Sequence, residues 1–178
     1  EFTQHFPEPG RVEHDAAEIW QVTRTVLDEL HRELGRPVVA VGVTDQRETV
    51  VAWDRRTGDP LERAIVWQDR RTAARCDELV AAGELEGIRR RTGLVLDPYF
   101  SASKMEWLLR HGGVHADEHL AFGTIDSWIV WNLTGGASHV TDPSNASRTM
   151  LYDICEHRWS EQLCDLFGVP MGSLPRVL

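Results

Sequence analysis

Short apolar runs and amphipathic stripes alternate along this chain of 178 residues. The two clearest runs, 38–43 and 49–53, are rich in β-branched residues and predict two buried strands. Between them lies a polar cluster over residues 44–48. Because both neighbouring runs are apolar enough to be buried, we expect a rigid scaffold to hold the side chains of Arg47 and Glu48, as in a binding site.

Helical periodicity accounts for most of the remaining chain. Asp15 and Glu18 stand at capping-box spacing, and the apolar stripe that follows them predicts a helix that ends at Gly35. A turn rich in charged residues, Gly and Pro separates the second strand from the apolar run 65–67, which predicts a hairpin. Further helices are predicted over 70–82 and 84–91, from an N-cap at Ser101 to Gly112, from Thr124 to Gly135, and from Ser160 to Gly168. Strands and helices that interleave in this way indicate an α/β fold.

Composition and charge narrow the class of protein. A hydrophobic content of 42% and a length of 178 residues are typical of one globular domain. Nineteen basic residues stand against 28 acidic ones, and the net charge of -9 argues against nucleic acid or an anionic membrane as the partner. The three cysteines have no CxxC spacing, and neither a signal peptide nor a long apolar run is visible. We therefore expect a cytoplasmic protein with reduced thiols.

Four motifs follow one another in an order that matches a known family. They are Gly42–Thr49 (GVTDQRET), Ile65–Thr72 (IVWQDRRT), Thr92–Ser101 (TGLVLDPYFS) and Asn145–Leu151 (NASRTML). A further signature spans Tyr99 to His111, with an aromatic residue, Ser101, Lys104, Trp107 and a basic pair. Over nearly all of its length the chain thus resembles the FGGY carbohydrate kinase family, and in particular the members that phosphorylate glycerol.

The resemblance implies an actin-like, ribonuclease H-like ATPase fold, in which two α/β domains close on ATP and a polyol. It also implies a reaction in which the γ-phosphoryl group of ATP, with Mg²⁺ as the metal ion, is transferred to a terminal hydroxyl of glycerol. The product would be glycerol 3-phosphate. Members of the family commonly form dimers or tetramers, so the resemblance also implies a homo-oligomer.

The same resemblance implies that residues 1–178 form a single incomplete domain, which is part of the N-terminal domain. The first phosphate-binding hairpin of the family would precede Glu1, the catalytic aspartate would follow Leu178, and the C-terminal domain would be absent. No GxxxxGK[ST] or GxGxxG loop occurs in the chain. We therefore expect no catalytic, ATP-binding or metal-binding residues here, and no glycerol-dependent ATP turnover by these 178 residues alone.

By similarity to the family, Arg47, Glu48, Trp67 and Tyr99 would contact glycerol. Their chemistry suits an uncharged triol, because Arg47 offers donors, Glu48 offers acceptors and the Tyr99 hydroxyl can do both. Trp67 would form a flat apolar wall against the carbon chain. Hydrogen bonds to charged groups contribute about 1.5 to 3 kcal/mol each, so such a set could replace the water that glycerol loses.

Each of these four residues could instead have a purely structural role. Arg47 and Glu48 could form a solvated ion pair, Trp67 could belong to the core, and Tyr99 could anchor a loop. The polar island 141–148 either braces the cleft or is a turn that satisfies its own backbone. At the level of function, the alternatives are an FGGY kinase for another polyol or a pentulose such as xylulose, and a non-catalytic actin-like binding module.

Overall fold

A five-stranded sheet organises the computed structural model, which describes residues 1–178. Its strands are β1 (Gln4–His5), β2 (Glu13–His14), β3 (Val50–Asp54), β4 (Ala64–Ile65) and β5 (Leu120–Thr124). They lie side by side in the order β1-β2-β4-β3-β5, and every neighbouring pair is antiparallel. The β3–β5 pair is the longest, with Val50 opposite Thr124 at one end and Asp54 opposite Leu120 at the other.

Two short sheets and seven α-helices complete the fold. The additional strands are β6 (Val140–Thr141), which pairs in parallel with β9 (Arg176–Val177), and β7 (Tyr152–Asp153), which pairs antiparallel with β8 (Arg158–Trp159). The helices are α1 (Ala16–Leu34), α2 (Ala73–Ala81), α3 (Leu85–Thr92), α4 (Ser101–His111), α5 (Ile125–Leu133), α6 (Pro143–Ala146) and α7 (Glu161–Phe167). None of them combines the length and the apolarity needed to cross a membrane. The predicted α/β class is confirmed.

The sheet separates two hydrophobic cores, because the side chains of a strand alternate between its faces. On one face, Val50 and Ala52 of β3 join a cluster of 19 buried residues that includes the apolar sides of α4 and α7. On the other face, Val51 and Trp53 join a cluster of ten buried residues that includes parts of α1 and α5. Burial on both faces explains why β3 is a continuous apolar run rather than an alternating one.

Local signals set the ends of α1 as predicted. The Asp15 side chain caps the first turn by accepting from the amides of Ala17 and Glu18, at 2.8 and 3.1 Å. Gly35 ends the helix with a φ of 61°, in the left-handed region that glycine adopts without strain. The second half of the predicted capping box does not form, because the Glu18 carboxylate accepts instead from Thr3.

The other predicted elements form close to their expected positions, including the β3–β4 hairpin and the cap of α7 at Ser160. Two caps differ from the prediction. Ser101 is the first residue of α4 rather than its N-cap, and Thr124 precedes α5 without bonding to the helix backbone. Their hydroxyls donate instead to the Glu48 carbonyl and to the Asp126 carboxylate. Tertiary and side-chain partners thus compete with local capping.

The predicted strand over residues 38–43 is wrong. This segment has no regular secondary structure; Val39 is 100% exposed, and Val38, Val41 and Val43 are exposed as well. A strand needs a neighbour that shares its backbone hydrogen bonds, and β3 already has β4 and β5 on its two edges. Because no strand of the chain lies beside this segment, its β propensity is not realised.

Candidate functional site

Glu48 lies two residues before β3 in a backbone conformation that is unusual for its type. Its φ is 68°, in the left-handed region, which costs a non-glycine residue about 1 to 3 kcal/mol. The residue is only 2% exposed. The Ser101 hydroxyl donates to the Glu48 carbonyl oxygen at 3.1 Å, and Arg148 Nε donates to Glu48 Oε1 at 2.6 Å. A buried carboxylate on a strained backbone, held from two distant elements, is typical of a functional site.

Arg148 connects Glu48 to the turn before α4. The carbon at the centre of its guanidinium lies 4.9 Å from the Phe100 ring centroid and 5.7 Å from that of Tyr99, within the range of cation–π attraction. It therefore balances the charge of the buried carboxylate and contacts an aromatic pair at the same time. The sequence marks Arg148 only as a candidate brace of the cleft, because its partner Glu48 lies 100 residues away.

Trp67 and Tyr99 lie next to each other, with ring centroids 5.3 Å apart and an interplanar angle of 58°. Trp67 follows β4, and its amide donates at 3.4 Å to the hydroxyl of Thr49, the residue after Glu48. The Tyr99 amide donates to the carboxylate of Asp97 at 2.8 Å, which fixes the turn before α4. Three of the four residues predicted to bind substrate, Glu48, Trp67 and Tyr99, thus lie close together. They are brought there by the segments that flank β3, β4 and α4.

Arg47, the fourth of these residues, is exposed, and its Nη1 donates to the hydroxyl of Ser144 at 3.4 Å. The alternative of a solvated Arg47–Glu48 ion pair is wrong, because Glu48 is buried and its ion-pair partner is Arg148. The Arg47 guanidinium therefore retains most of its donors, next in sequence to the buried carboxylate.

The polar island 141–148 is in part a turn that satisfies its own backbone, and its last residue, Arg148, has a distant partner. Asp142 caps α6 by accepting from the amides of Ser144 and Asn145 at 2.7 and 3.1 Å, so this part of the island satisfies its own backbone. Arg148, at the end of the island, contacts Glu48 instead. The Asn145 Oδ1 atom is buried and accepts no hydrogen bond. The capped turn thus holds Ser144 near Arg47 and leads the chain to Arg148.

The loop over residues 44–48 is restrained by the two residues before Arg47. The Asp45 carboxylate accepts from the amide of Asp126 in the first turn of α5, at 3.1 Å. Burial, with the charge of Asp126 as a smaller contribution, raises the pKa of Asp45 to about 6. Gln46 Nε2 lies 3.1 Å from Nδ1 of the buried His14 ring. These contacts limit the freedom of the loop that carries Arg47 and Glu48.

One cavity lies apart from Glu48, Trp67 and Tyr99, between α1, α5 and residues 41–46. It has a volume of about 650 Å³, and ten of its 15 lining residues are hydrophobic. Such a lining offers few partners for the hydroxyl groups of a polyol. The candidate site is therefore the cluster of Arg47, Glu48, Trp67, Tyr99 and Arg148, which we call the Glu48 cluster.

The fold and the Glu48 cluster together indicate a protein that binds a small polar ligand. Helices cover both faces of the sheet, and the cluster combines a buried carboxylate, two guanidinium groups and two neighbouring aromatic rings. Such a set of groups is suited to a small polar ligand with an apolar carbon chain. The chain belongs to the FGGY family of carbohydrate kinases, since the N-terminal domain of that family matches residues 1–178.

Similarity to curated relatives extends over the whole chain. Glycerol kinase from Dechloromonas aromatica is 57% identical over 185 residues, and glycerol kinase from Trichlorobacter lovleyi is 55% identical over 185 residues. Each match covers 100% of this chain but 37% of the relative. The chain thus spans a little over a third of the length of these relatives, and the predicted family resemblance is confirmed.

Solved structures confirm the predicted actin-like ATPase fold. The crystal structure of Plasmodium falciparum glycerol kinase with ADP matches with a TM-score of 0.87 at 34% identity, over 99% of this chain and 37% of that one. Xylulose kinase from Rhodospirillum rubrum matches with a TM-score of 0.87 at 26% identity, over 99% of this chain and 36% of that one. The chain therefore has the architecture of the N-terminal domain of these kinases.

Proposed function

We propose that the full-length protein is an ATP-dependent glycerol kinase, which transfers the γ-phosphoryl group of ATP to a terminal hydroxyl and forms glycerol 3-phosphate. The observation that carries this proposal is the buried Glu48 carboxylate, which Arg148 orients close to the Trp67–Tyr99 pair. The glycerol kinases at 57% and 55% identity and the glycerol kinase structure with ADP support it.

The residues of the Glu48 cluster divide the recognition of a triol among them. Glu48 accepts hydrogen bonds from hydroxyl groups, and Arg47 donates them. The Tyr99 hydroxyl does either, and the Trp67 ring covers the carbon chain. Each hydroxyl that leaves water needs a new partner, since an unpaired buried polar group costs about 1 to 3 kcal/mol. Arg148 holds the Glu48 carboxylate in place, which reduces the ordering that binding requires.

Phosphoryl transfer depends on positioning and charge neutralisation, to which a nucleotide-bound metal ion contributes charge. Residues 1–178 contain no group of three or more His, Cys, Asp or Glu side chains placed to hold a metal ion. The contribution proposed for this region is to bind the polyol, exclude water from it and orient one hydroxyl. ATP and Mg²⁺ would be held chiefly by other parts of the full-length protein.

The domain assignment belongs to the same proposal. Residues 1–178 would form part of the N-terminal domain, while the first phosphate-binding hairpin, the catalytic aspartate and the C-terminal domain would lie elsewhere in the full-length chain. Two observations support this: the match to the N-terminal domain of the family, and the coverage of only 37% of the curated relatives. The full-length enzyme would act in the cytoplasm as a homo-oligomer, a dimer or a tetramer.

The deciding experiment is ADP release by the full-length protein with Mg-ATP, in which glycerol is compared with xylulose, ribulose and erythritol at matched concentrations. A strong preference for glycerol is expected. If a pentulose is preferred, the kinase reaction stands but the assignment of the Glu48 cluster to a triol is wrong. Absence of turnover with all four would instead support a non-catalytic binding module.

Replacing Arg47 with alanine is expected to raise the KM for glycerol at least tenfold in the full-length enzyme. The reason is the loss of a charged donor, and a hydrogen bond to a charged group contributes about 1.5 to 3 kcal/mol. The measurement is steady-state kinetics with glycerol varied at saturating Mg-ATP. Arg90→Ala is the matched control, because Arg90 is an exposed arginine of α3 outside the Glu48 cluster. An unchanged KM for the Arg47 variant would remove this residue from the site.

A further inference from the structure

Lys104 is the only lysine of the chain, and its side chain is buried in α4 with 0% exposure. Lysine is almost never fully buried unless its charge is compensated. Here the compensation comes from the backbone. Lys104 Nζ donates to the carbonyl oxygens of Pro98, Tyr99 and Phe100 at 2.7, 2.7 and 2.8 Å. Three consecutive carbonyl groups of the turn before α4 thus converge on one nitrogen.

The three acceptors match the three hydrogens of an ammonium group, whereas a neutral amine has only two. Burial lowers the pKa of Lys104 to about 7, against the attraction of nearby acidic groups such as Asp69 and Glu48. The burial that lowers this pKa is a cost in solvation that an apolar side chain of similar length would avoid. A contribution to stability alone therefore does not explain why a lysine occupies this position.

The turn that Lys104 holds is part of the Glu48 cluster. Tyr99 lies in its middle, with its ring centroid 5.3 Å from those of both Trp67 and Phe100. One turn earlier on the same face of α4, the Ser101 hydroxyl donates to the Glu48 carbonyl oxygen at 3.1 Å. The first turn of α4 therefore restrains the backbone of two candidate binding residues at once.

We propose that Lys104 is a positioning residue for polyol binding, which fixes the Tyr99 turn through its three carbonyl contacts and does not itself touch the substrate. This inference rests on the proposed function, since it assigns the Tyr99 hydroxyl to the substrate. Without the ammonium group, three converging carbonyl oxygens repel one another and lack donors, so the turn relaxes. The Tyr99 hydroxyl then no longer has one defined position when the polyol arrives.

The test compares Lys104→Met with Met105→Ala in the full-length enzyme. Met105 is the matched control, because it is the next residue of α4 and is only 1% exposed, but it belongs to the apolar core. Three quantities are measured for each variant: the melting temperature, hydrogen exchange of the peptide that contains residues 98–102, and the kinetic constants. This peptide is a sensitive probe, because the amides of Tyr99, Phe100 and Ala102 are all hydrogen-bonded.

Both variants are expected to melt at a lower temperature. Only Lys104→Met is expected to exchange faster over 98–102 and to raise the KM for glycerol, by roughly tenfold, which is the loss of about one hydrogen bond of binding free energy. Its KM for ATP is expected to stay within about twofold of wild type, because the turn contacts the polyol side of the reaction. If Lys104→Met matches Met105→Ala in exchange and in glycerol KM, Lys104 has only a structural role and the proposal is overturned.

The test also covers two other outcomes: a Lys104→Met variant that does not fold, and a wild-type enzyme that does not phosphorylate glycerol. If Lys104→Met does not fold, Lys104→Gln, which keeps one amide group as a donor, is measured against the same control with the same criteria. If the wild type does not phosphorylate glycerol, the proposed function fails separately, and the KM comparison is made with the substrate that the wild type accepts. In every case the exchange of 98–102 reports on the carbonyl contacts independently of the substrate, and unchanged exchange contradicts the proposal.

Discussion

Replacing Glu48 with glutamine is expected to lower kcat/KM for glycerol about 100-fold in the full-length enzyme, as the loss of roughly 3 kcal/mol from a charged acceptor implies. Arg148 donates to Oε1, and no protein donor contacts Oε2, which leaves that oxygen for a hydroxyl of the substrate. Glutamine places an amide where one of the two oxygens stood, so the side chain loses an acceptor as well as its charge. Because glutamine bears the same steric cost at a φ of 68°, the backbone contribution cancels in the comparison.

The control for this prediction is Glu118→Gln. The Glu118 side chain is 85% exposed, so the same chemical change occurs without burial and outside the Glu48 cluster. Steady-state kinetics with glycerol and with ATP, together with melting curves, separate an effect on binding from an effect on folding. A Glu48→Gln enzyme with wild-type kcat/KM for glycerol would show that this carboxylate belongs to the architecture of the loop rather than to substrate recognition.

Replacing Trp53 with alanine is expected to lower the free energy of unfolding by about 3 to 5 kcal/mol, the range for large aromatic side chains removed from a core. Trp53 is 0% exposed, and its ring centroid lies 5.4 Å from that of Trp128 and 5.0 Å from that of His139. It stands on β3, so the cavity would form where α5 packs on the sheet. Urea unfolding followed by circular dichroism, with the transition of this domain resolved from others, measures the loss.

Trp53→Phe distinguishes packing from hydrogen bonding at the same position. The indole Nε1 of Trp53 is buried and has no hydrogen-bond partner, a condition that costs about 1 to 3 kcal/mol. Phenylalanine removes this unpaired donor and keeps most of the aromatic surface, so its loss of stability is expected to be well under half that of alanine. Equal losses for the two variants would show that the volume of the indole, rather than aromatic contact, determines the stability of this core.

Elements with strong local signals were predictable from the sequence. The Asp15 cap and Gly35 set the ends of α1, and these signals act within one turn of the helix. The β3–β4 hairpin was predictable as well, since a segment rich in charged residues, Gly and Pro separates its two apolar runs. The apolar run 38–43 has a strand-like composition as well, but a strand forms only beside a partner, and the composition of a segment does not reveal whether one is present.

In the candidate site, too, the sequence predicts some features and only the structure shows others. The motifs identify Glu48, Trp67 and Tyr99 as a set, and the structure brings them together. The contacts that hold them are less visible in the sequence. Arg148 lies 100 residues from Glu48, and although Lys104 belongs to the Tyr99–His111 signature, its burial and its carbonyl partners are seen only in the structure.

The sequence alone determined the α/β class, the ends of α1 and the types of side chain available to bind a polyol, because these depend on neighbouring residues and on residue chemistry. The tertiary structure decided which partners those side chains have. It paired Glu48 with Arg148 rather than with Arg47, turned the Ser101 hydroxyl from a helix cap to the Glu48 carbonyl, and left residues 38–43 without a strand. Hydrogen bonds and ion pairs between distant segments depend on the path of the whole backbone, which no local pattern encodes.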